Sequence, residues 1–329
     1  MSGKNATELI AADRQGIARA ARILESGGLV AVPTETVYGL AARADDRQAV
    51  AKIYSAKGRP DFNPLIVHVR DLDQAGRYAQ VSSDAAALAA RFWPGPLTMV
   101  LPLREDAGLA PAVTAGLETV ALRVPAHPVM RALLDAVDFP VAAPSANRSG
   151  FISPTSAEHV LESLDGRIDA VLDGGATERG LESTIVAPRD FAGDGPGDGP
   201  GNGPGGERWA LLRPGPVTEE EIAAMLGPAS DIMSARIEAP GQLAQHYSPG
   251  KPLRLGALNA EPGEFLIGFG AIAGDCSLSA GGDLTEAATR LYDCLHQARA
   301  SVYPRIAVAP IPDAGLGIAI NDRLRRAAA

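Results

Sequence analysis

Stretches whose apolar residues recur at helical spacing alternate with short, almost wholly apolar runs through the first 140 or so residues. A chain patterned this way folds into a sheet whose strands are joined by helices. Asp13 to Ser26 has the helical period, and Gly27-Gly28 stops it ahead of Leu29-Val30-Ala31-Val32-Pro33, which reads as a buried strand. Gln48 to Ala56, Ser82 to Phe92 and Pro128 to Val137 read as further helices. Pro64 to Val69, Leu97 to Leu103, Thr119 to Val124 and Pro140 to Ala143 read as strands. The expected class is α/β, with ligand groups at strand ends.

Beyond Phe191 the pattern breaks. Residues 191–206 collapse into Gly, Pro, Asp and Asn, a composition that cannot bury apolar surface and predicts a flexible insertion. Regular sequence resumes at Trp209, and Thr218 is placed to cap a helix running to about Leu226. Residues 235–252 hold three prolines and little periodicity, so they read as a linker between a first domain, 13–234, and a second, 253–325. The second domain shows strands at Pro252 to Leu255, Glu264 to Gly268 and Ile306 to Ala309, and a helix at Leu284 to Ala300. A chain of 329 residues accommodates two such domains.

Composition removes several function classes. A formal charge of -9 argues against coating nucleic acid by bulk electrostatics, and the 5% aromatic content offers no base-stacking platform. No apolar run reaches the ~18 residues of a spanning helix, and charges are scattered through Met1 to Arg22 where a signal segment would be apolar. The expectation is no membrane association and a cytoplasmic location. Cys276 and Cys294 have no CxxC or Cys/His company, which leaves two reduced core thiols and no metal site. A GxxxxGK[ST] loop, HExxH and GxSxG are all absent from the sequence. Gly268, Gly270 and Gly274 give only a loose, weak dinucleotide signal.

Chemistry-bearing residues gather in a few polar breaks. Lys57-Gly58-Arg59-Pro60 and Pro144-Ser145-Ala146-Asn147-Arg148 each interrupt an apolar run and combine cations with uncharged orienting groups, a combination suited to phosphate oxygens. The alternative for Lys57 and Arg59 is ordinary solvated charge, and for Ser145 and Asn147 a capped helix start. Thr34, Glu35 and Thr36 follow a buried strand directly, where a capped turn competes with a ligand site. His68 lies among apolar neighbours, a setting more common for a hydrogen-bonded core histidine. Ser183 and Thr184 precede the apolar Ile185-Val186 and could be turn chemistry alone.

Taken in order, PTETVYGL, KGRPDFNPLIVHV, WPGPLTMVL, VALRVPAHP, APSANRSG, GLESTIV and LLRPGPV closely resemble the YrdC-like threonylcarbamoyl-AMP synthases, over Asp13 to Val217. The chain also resembles the long form of that family, with an extra C-terminal domain behind a linker ending in His246-Tyr247-Ser248-Pro249. The fold this implies is a twisted YrdC-like mixed sheet flanked by helices, plus a smaller Rossmann-like α/β domain. The implied reaction turns L-threonine, bicarbonate and ATP into L-threonylcarbamoyladenylate and pyrophosphate. It opens the route to N6-threonylcarbamoyladenosine in tRNAs that read codons starting with A.

By the same resemblance Lys57, Arg59, Ser145 and Asn147 form the catalytic group holding the ATP phosphates. Thr119, Ser153, Arg213 and Tyr247 add nucleotide contacts, and Thr34, His68, Arg123 and Ser183 match threonine-binding positions. Mg²⁺ would arrive on the ATP phosphates, with no metal held by the protein itself. The implied partners are the three substrates and the downstream tRNA threonylcarbamoyl-transferase machinery, with a weak contact to tRNA left open. Two rivals are a double-stranded-RNA-binding module of the YrdC type without synthase activity, and a carbamoyl-transfer domain of the hydrogenase-maturation type. The second rival normally carries zinc-finger cysteines and an acylphosphatase-like region, which this chain lacks.

Overall fold

The computed structural model describes residues 6–189, 208–230 and 246–329. The insertion expected at 191–206 and the linker up to residue 245 lie outside them. The described strands, in chain order, are β1 (Glu8–Ala11), β2 (Val30–Val32), β3 (Gly39–Arg43), β4 (Ile66–His68), β5 (Leu97–Pro102), β6 (Thr119–Arg123) and β7 (Val141–Ala142). They continue as β8 (Ala170–Asp173), β9 (Thr184–Pro188), β10 (Trp209–Arg213), β11 (Leu253–Leu255), β12 (Glu264–Gly268), β13 (Cys276–Ser277) and β14 (Arg305–Val308). The first ten form one mixed sheet in the order β1-β8-β2-β3-β7-β4-β6-β5-β9-β10. The remaining four pair in parallel as β11-β14-β12-β13.

The central strands of the large sheet are apolar on both sides, as strands buried on both faces are. All of β2 and β9 is buried, as are the first five residues of β5. The helix Arg14–Glu25 starts where the Asp13 side chain accepts from the Gly16 N–H, and it turns Ala20, Ala21, Ile23 and Leu24 inward. The helix Arg47–Lys57, capped by Asp46, ends at Gly58 with φ 59°. That left-handed turn favours glycine. It makes Lys57 the last helical residue and turns the chain at Gly58 ahead of Arg59.

The parallel sheet has its own core with the helices Leu284–Ala300 and Leu316–Ala327, and that core reaches across the chain. Phe265, Leu291, Tyr292 and Ile320 pack in one buried cluster with Val37, Ile152, Leu181 and Tyr247. Burial at the junction therefore continues into the segments that line the site described below. No helix among the described residues is long and apolar enough to cross a membrane.

Elements that the sequence spacing did not single out include β1, β3, β8, β13, the short helices Leu72–Ala75 and Pro111–Thr114, and the helices Ala157–Leu164 and Leu316–Ala327. β1 buries only Ile10 at the sheet edge, so it carries no alternation to detect. The last helix carries Asn321, Asp322, Arg323, Arg325 and Arg326, and it buries Arg323 on the face where a hydrophobic residue would be sought.

Candidate functional site

A partly open cavity of about 50 Å³ lies against the large sheet, lined among others by Gly39 of β3, Ile66 and His68 of β4, and Ala143 just past β7. The polar groups do not all come from one end of the strands. His68 and Arg123 are paired at the ends of the parallel β4 and β6. Ser145 follows β7, which runs antiparallel to β4, and so approaches from the opposite side.

Thr34 and Thr36 line the cavity just after β2. The Thr34 hydroxyl donates to the Val37 carbonyl at 2.6 Å and accepts from the Thr36 and Val37 N–H groups, both at 3.2 Å. These contacts cap the turn and fix which way the hydroxyl faces. Arg123 is buried, with one Nη donating to Glu35 Oε1 at 2.6 Å and the other to Thr36 Oγ1 at 2.9 Å. Burial pushes the Glu35 carboxyl up, but the Arg123 charge and hydrogen bond outweigh it and hold the group below its ordinary range. Glu35 also accepts from the Ala126 N–H at 3.0 Å, tying the PTETVYGL turn to the chain leaving β6.

His68 is 2% exposed and lines the cavity, and among the described residues neither ring nitrogen meets a hydrogen-bond partner at good geometry. Burial first, and then Arg123, lower its pKa to about 3, so the ring is neutral. A buried, unpartnered imidazole is costly unless something else completes its hydrogen bonds.

Lys57 is 2% exposed, which removes the solvated-surface reading. Its Nζ donates to Ser145 O at 2.6 Å, Asn147 O at 2.5 Å and Asn147 Oδ1 at 3.2 Å. All three ammonium donors are spent on the Pro144–Arg148 loop, so Lys57 braces that loop from behind and Ser145 faces the cavity. Burial, and then Arg59, push the Lys57 ammonium well below its ordinary pKa. Asn147 donates through Nδ2 to Phe151 O at 2.7 Å. Arg59 lines the cavity itself, anchored to Asn63 O at 3.2 Å and Pro64 O at 2.8 Å.

Ser183, Arg213 and Glu182 close the far wall. Arg213 donates to Ser183 O at 3.0 and 2.9 Å and to its hydroxyl at 3.1 Å, and Ser183 Oγ also meets Thr98 Oγ1 at 2.7 Å. Ser153 is wholly buried and donates to Glu182 Oε1 at 2.5 Å. Burial pushes the Glu182 carboxyl up, but Arg323 and then Arg213 outweigh it and hold it at about 2. Tyr247 and His246 cover the cavity, 1% and 8% exposed. The backbone there is clipped in place, with Ser248 N donating to Gly150 O at 2.8 Å.

Of the residues expected from sequence, Thr34, Arg59, His68, Arg123, Ser145, Ser183, Arg213 and Tyr247 line this one cavity. Lys57, Asn147 and Ser153 stand directly behind it, each bonded to a lining residue or its loop. Thr119 lies four residues from Arg123 along β6, about 13 Å at the usual rise per strand residue, and is not among the residues lining the cavity. Glu35 and Glu182 were assigned no role from sequence. Glu35 stands between Thr34 and Thr36, and Glu182 directly before Ser183 and Thr184, and an acidic residue beside hydroxyl residues in a largely apolar motif is the signal that points to a buried carboxylate needing a cation.

The Sua5/YciO/YrdC family model, described as telomere recombination, matches residues 22–194. A second model, described as the threonylcarbamoyl-AMP synthase C-terminal domain, matches residues 217–329. A threonylcarbamoyl-AMP synthase of Bacillus subtilis is 41% identical, covering 98% of this chain and 95% of its own. The chain belongs to the threonylcarbamoyl-AMP synthase family. The Pyrococcus abyssi member is 39% identical over 94% of this chain. A crystal structure of P. abyssi Sua5 complexed with L-threonine superposes with a TM-score of 0.86 at 35% identity, covering 98% of both chains. This agrees with the two-sheet architecture and with the family expected from the seven motifs.

Proposed function

We propose that this chain joins L-threonine, bicarbonate and ATP into L-threonylcarbamoyladenylate and pyrophosphate, as a nucleotidyltransferase feeding the tRNA threonylcarbamoyl-transfer machinery. The observation that carries this reading is the convergence of Arg59, Arg123 and Arg213 with the hydroxyls of Thr34, Ser145 and Ser183 on one buried cavity. Two anions must meet there, and three guanidiniums suit carboxylate and phosphate oxygens.

The threonine amine adds to carbon dioxide or bicarbonate to give a carbamate. A carbamate oxygen then attacks the α-phosphorus, and pyrophosphate leaves. No covalent enzyme intermediate is needed, so the protein contributes positioning and charge neutralisation. Arg123, already held square by Glu35, offers its fork to the threonine carboxylate, and neutral His68 completes its hydrogen bonds on the amino acid. Arg59 and Arg213 neutralise the triphosphate, with the braced Ser145 loop lying beside it. Thr119, not among the residues lining the cavity, joins the nucleotide contacts only in an opened site.

Mg²⁺ enters as part of the substrate Mg-ATP. The nearby carboxylates Glu35 and Glu182 are each engaged by an arginine, and no cluster of His, Cys, Asp or Glu suited to a metal occurs among the described residues. In this reading the ion rides on phosphate oxygens.

A cavity of about 50 Å³ holds only a few waters. ATP and threonine enter when the His246–Tyr247 turn swings aside, and its return shields the water-sensitive carbamate. A nucleotide-bound crystal structure with that turn far from the cavity would count against such a lid. The reaction is tested by incubating the protein with threonine, bicarbonate and Mg-ATP. Pyrophosphate release that requires all three supports it, whereas an RNA-binding module releases none.

A further inference from the structure

Arg323 is the largest charged side chain buried without exposure, and it belongs to the last helix, far in sequence from every motif of the site. Its Nε donates to Glu182 Oε2 at 2.9 Å, and one Nη donates to Pro214 O at 3.0 Å. The other Nη reaches Asp322 Oδ2 at 2.6 Å, and the guanidinium carbon stands 5.4 Å from the Tyr247 ring centre. Each of the first two contacts falls one residue from a cavity-lining partner, Glu182 beside Ser183 and Pro214 beside Arg213. Tyr292 joins from the same part of the chain, its hydroxyl 3.0 and 2.8 Å from the two Glu182 oxygens.

Glu182 lines the cavity, and an uncompensated carboxylate there would repel a triphosphate. We propose that Arg323 is a positioning residue for the nucleotide half of the site: it neutralises Glu182 and holds the Ser153 and Arg213 segments in their binding geometry. This rests on the synthase reading, and it gives the C-terminal part of the chain a direct share in ATP recognition. Threonine recognition is insulated, because Arg123 draws on Glu35 for its counter-charge.

Calorimetric titration of the full-length chain with Mg-ATP and, separately, with threonine tests it. Arg323→Met, shown to be folded by its melting transition, is expected to weaken Mg-ATP binding at least about tenfold. Its threonine affinity should stay within about threefold, and adding Glu182→Gln should recover a factor of about three or more for ATP. A purely structural role would lower the melting temperature and leave the ATP-to-threonine ratio unmoved, which overturns the proposal. So does a double variant no better than Arg323→Met. If Arg323→Met does not fold, Glu182→Gln alone decides: tighter Mg-ATP binding supports the proposal, and equal or weaker binding overturns it. If the parent chain binds no Mg-ATP, the synthase reading falls together with this one. If the parent binds and the variants match it, only the role of Arg323 falls.

Discussion

Lys57 is spent on bracing a loop of the cavity. Its three short contacts hold the Ser145–Asn147 loop, so truncation leaves two carbonyls and an amide oxygen unsatisfied at once. Lys57→Ala is therefore expected to cut pyrophosphate release at least about tenfold, checked by steady-state kinetics on protein shown to be folded. A near-normal rate would contradict the bracing role. The sequence marked Lys57, Arg59, Ser145 and Asn147 because cations and small polar groups stand out in apolar runs. It could not say that the lysine faces the loop while Arg59 faces the cavity, because that choice is made by the left-handed Gly58 between them. Glu35 and Glu182 stayed unassigned for a related reason: their partners, Arg123 and Arg323, are 88 and 141 residues away.

Elements with strong local signals were legible almost to the residue. The helix Glu219–Leu226 begins with Thr218 accepting from the Glu221 N–H while the Glu221 side chain accepts from the Thr218 N–H, the reciprocal pattern that Thr-x-x-Glu announces. Thr218→Ala is expected to cost about 1 kcal/mol of stability, read by denaturant unfolding, with catalysis unchanged because the cap faces away from the cavity. A loss of activity larger than the loss of stability would show that this helix does more than support β10. β3 was hidden behind the polar PTETVYGL turn, and the helix Leu316–Ala327 behind its charges. In both, tertiary contacts decide the structure: β3 is held by β2 and β7, and the last helix by the buried Arg323.

Across the whole molecule, the site and the C-terminal sheet share one buried cluster, so stability and active-site geometry should respond together to pH. Burial lowers His68, His246 and His296 from their ordinary 6.5 to about 3. His296 sits at the junction, stacked on His159 at 3.7 Å and facing Glu162 and Arg299. Between these values the unfolded chain binds protons that the folded chain refuses, so stability falls as pH drops below about 6.5. Glu182, lowered from 4.5 to about 2, adds a second loss as pH falls below about 4.5. The melting temperature is expected to decline between pH 7 and pH 5, and less steeply in His296→Gln; a flat profile over that range would contradict the buried neutral histidines. The central claim, that one cavity couples a threonine carbamate to the α-phosphate of ATP, is tested most directly with bicarbonate bearing a heavy carbon isotope. Mass spectrometry of the products should show threonylcarbamoyl-adenylate carrying the label, with pyrophosphate in equal amount. An unlabelled threonine adenylate, or no adenylate at all, would contradict it.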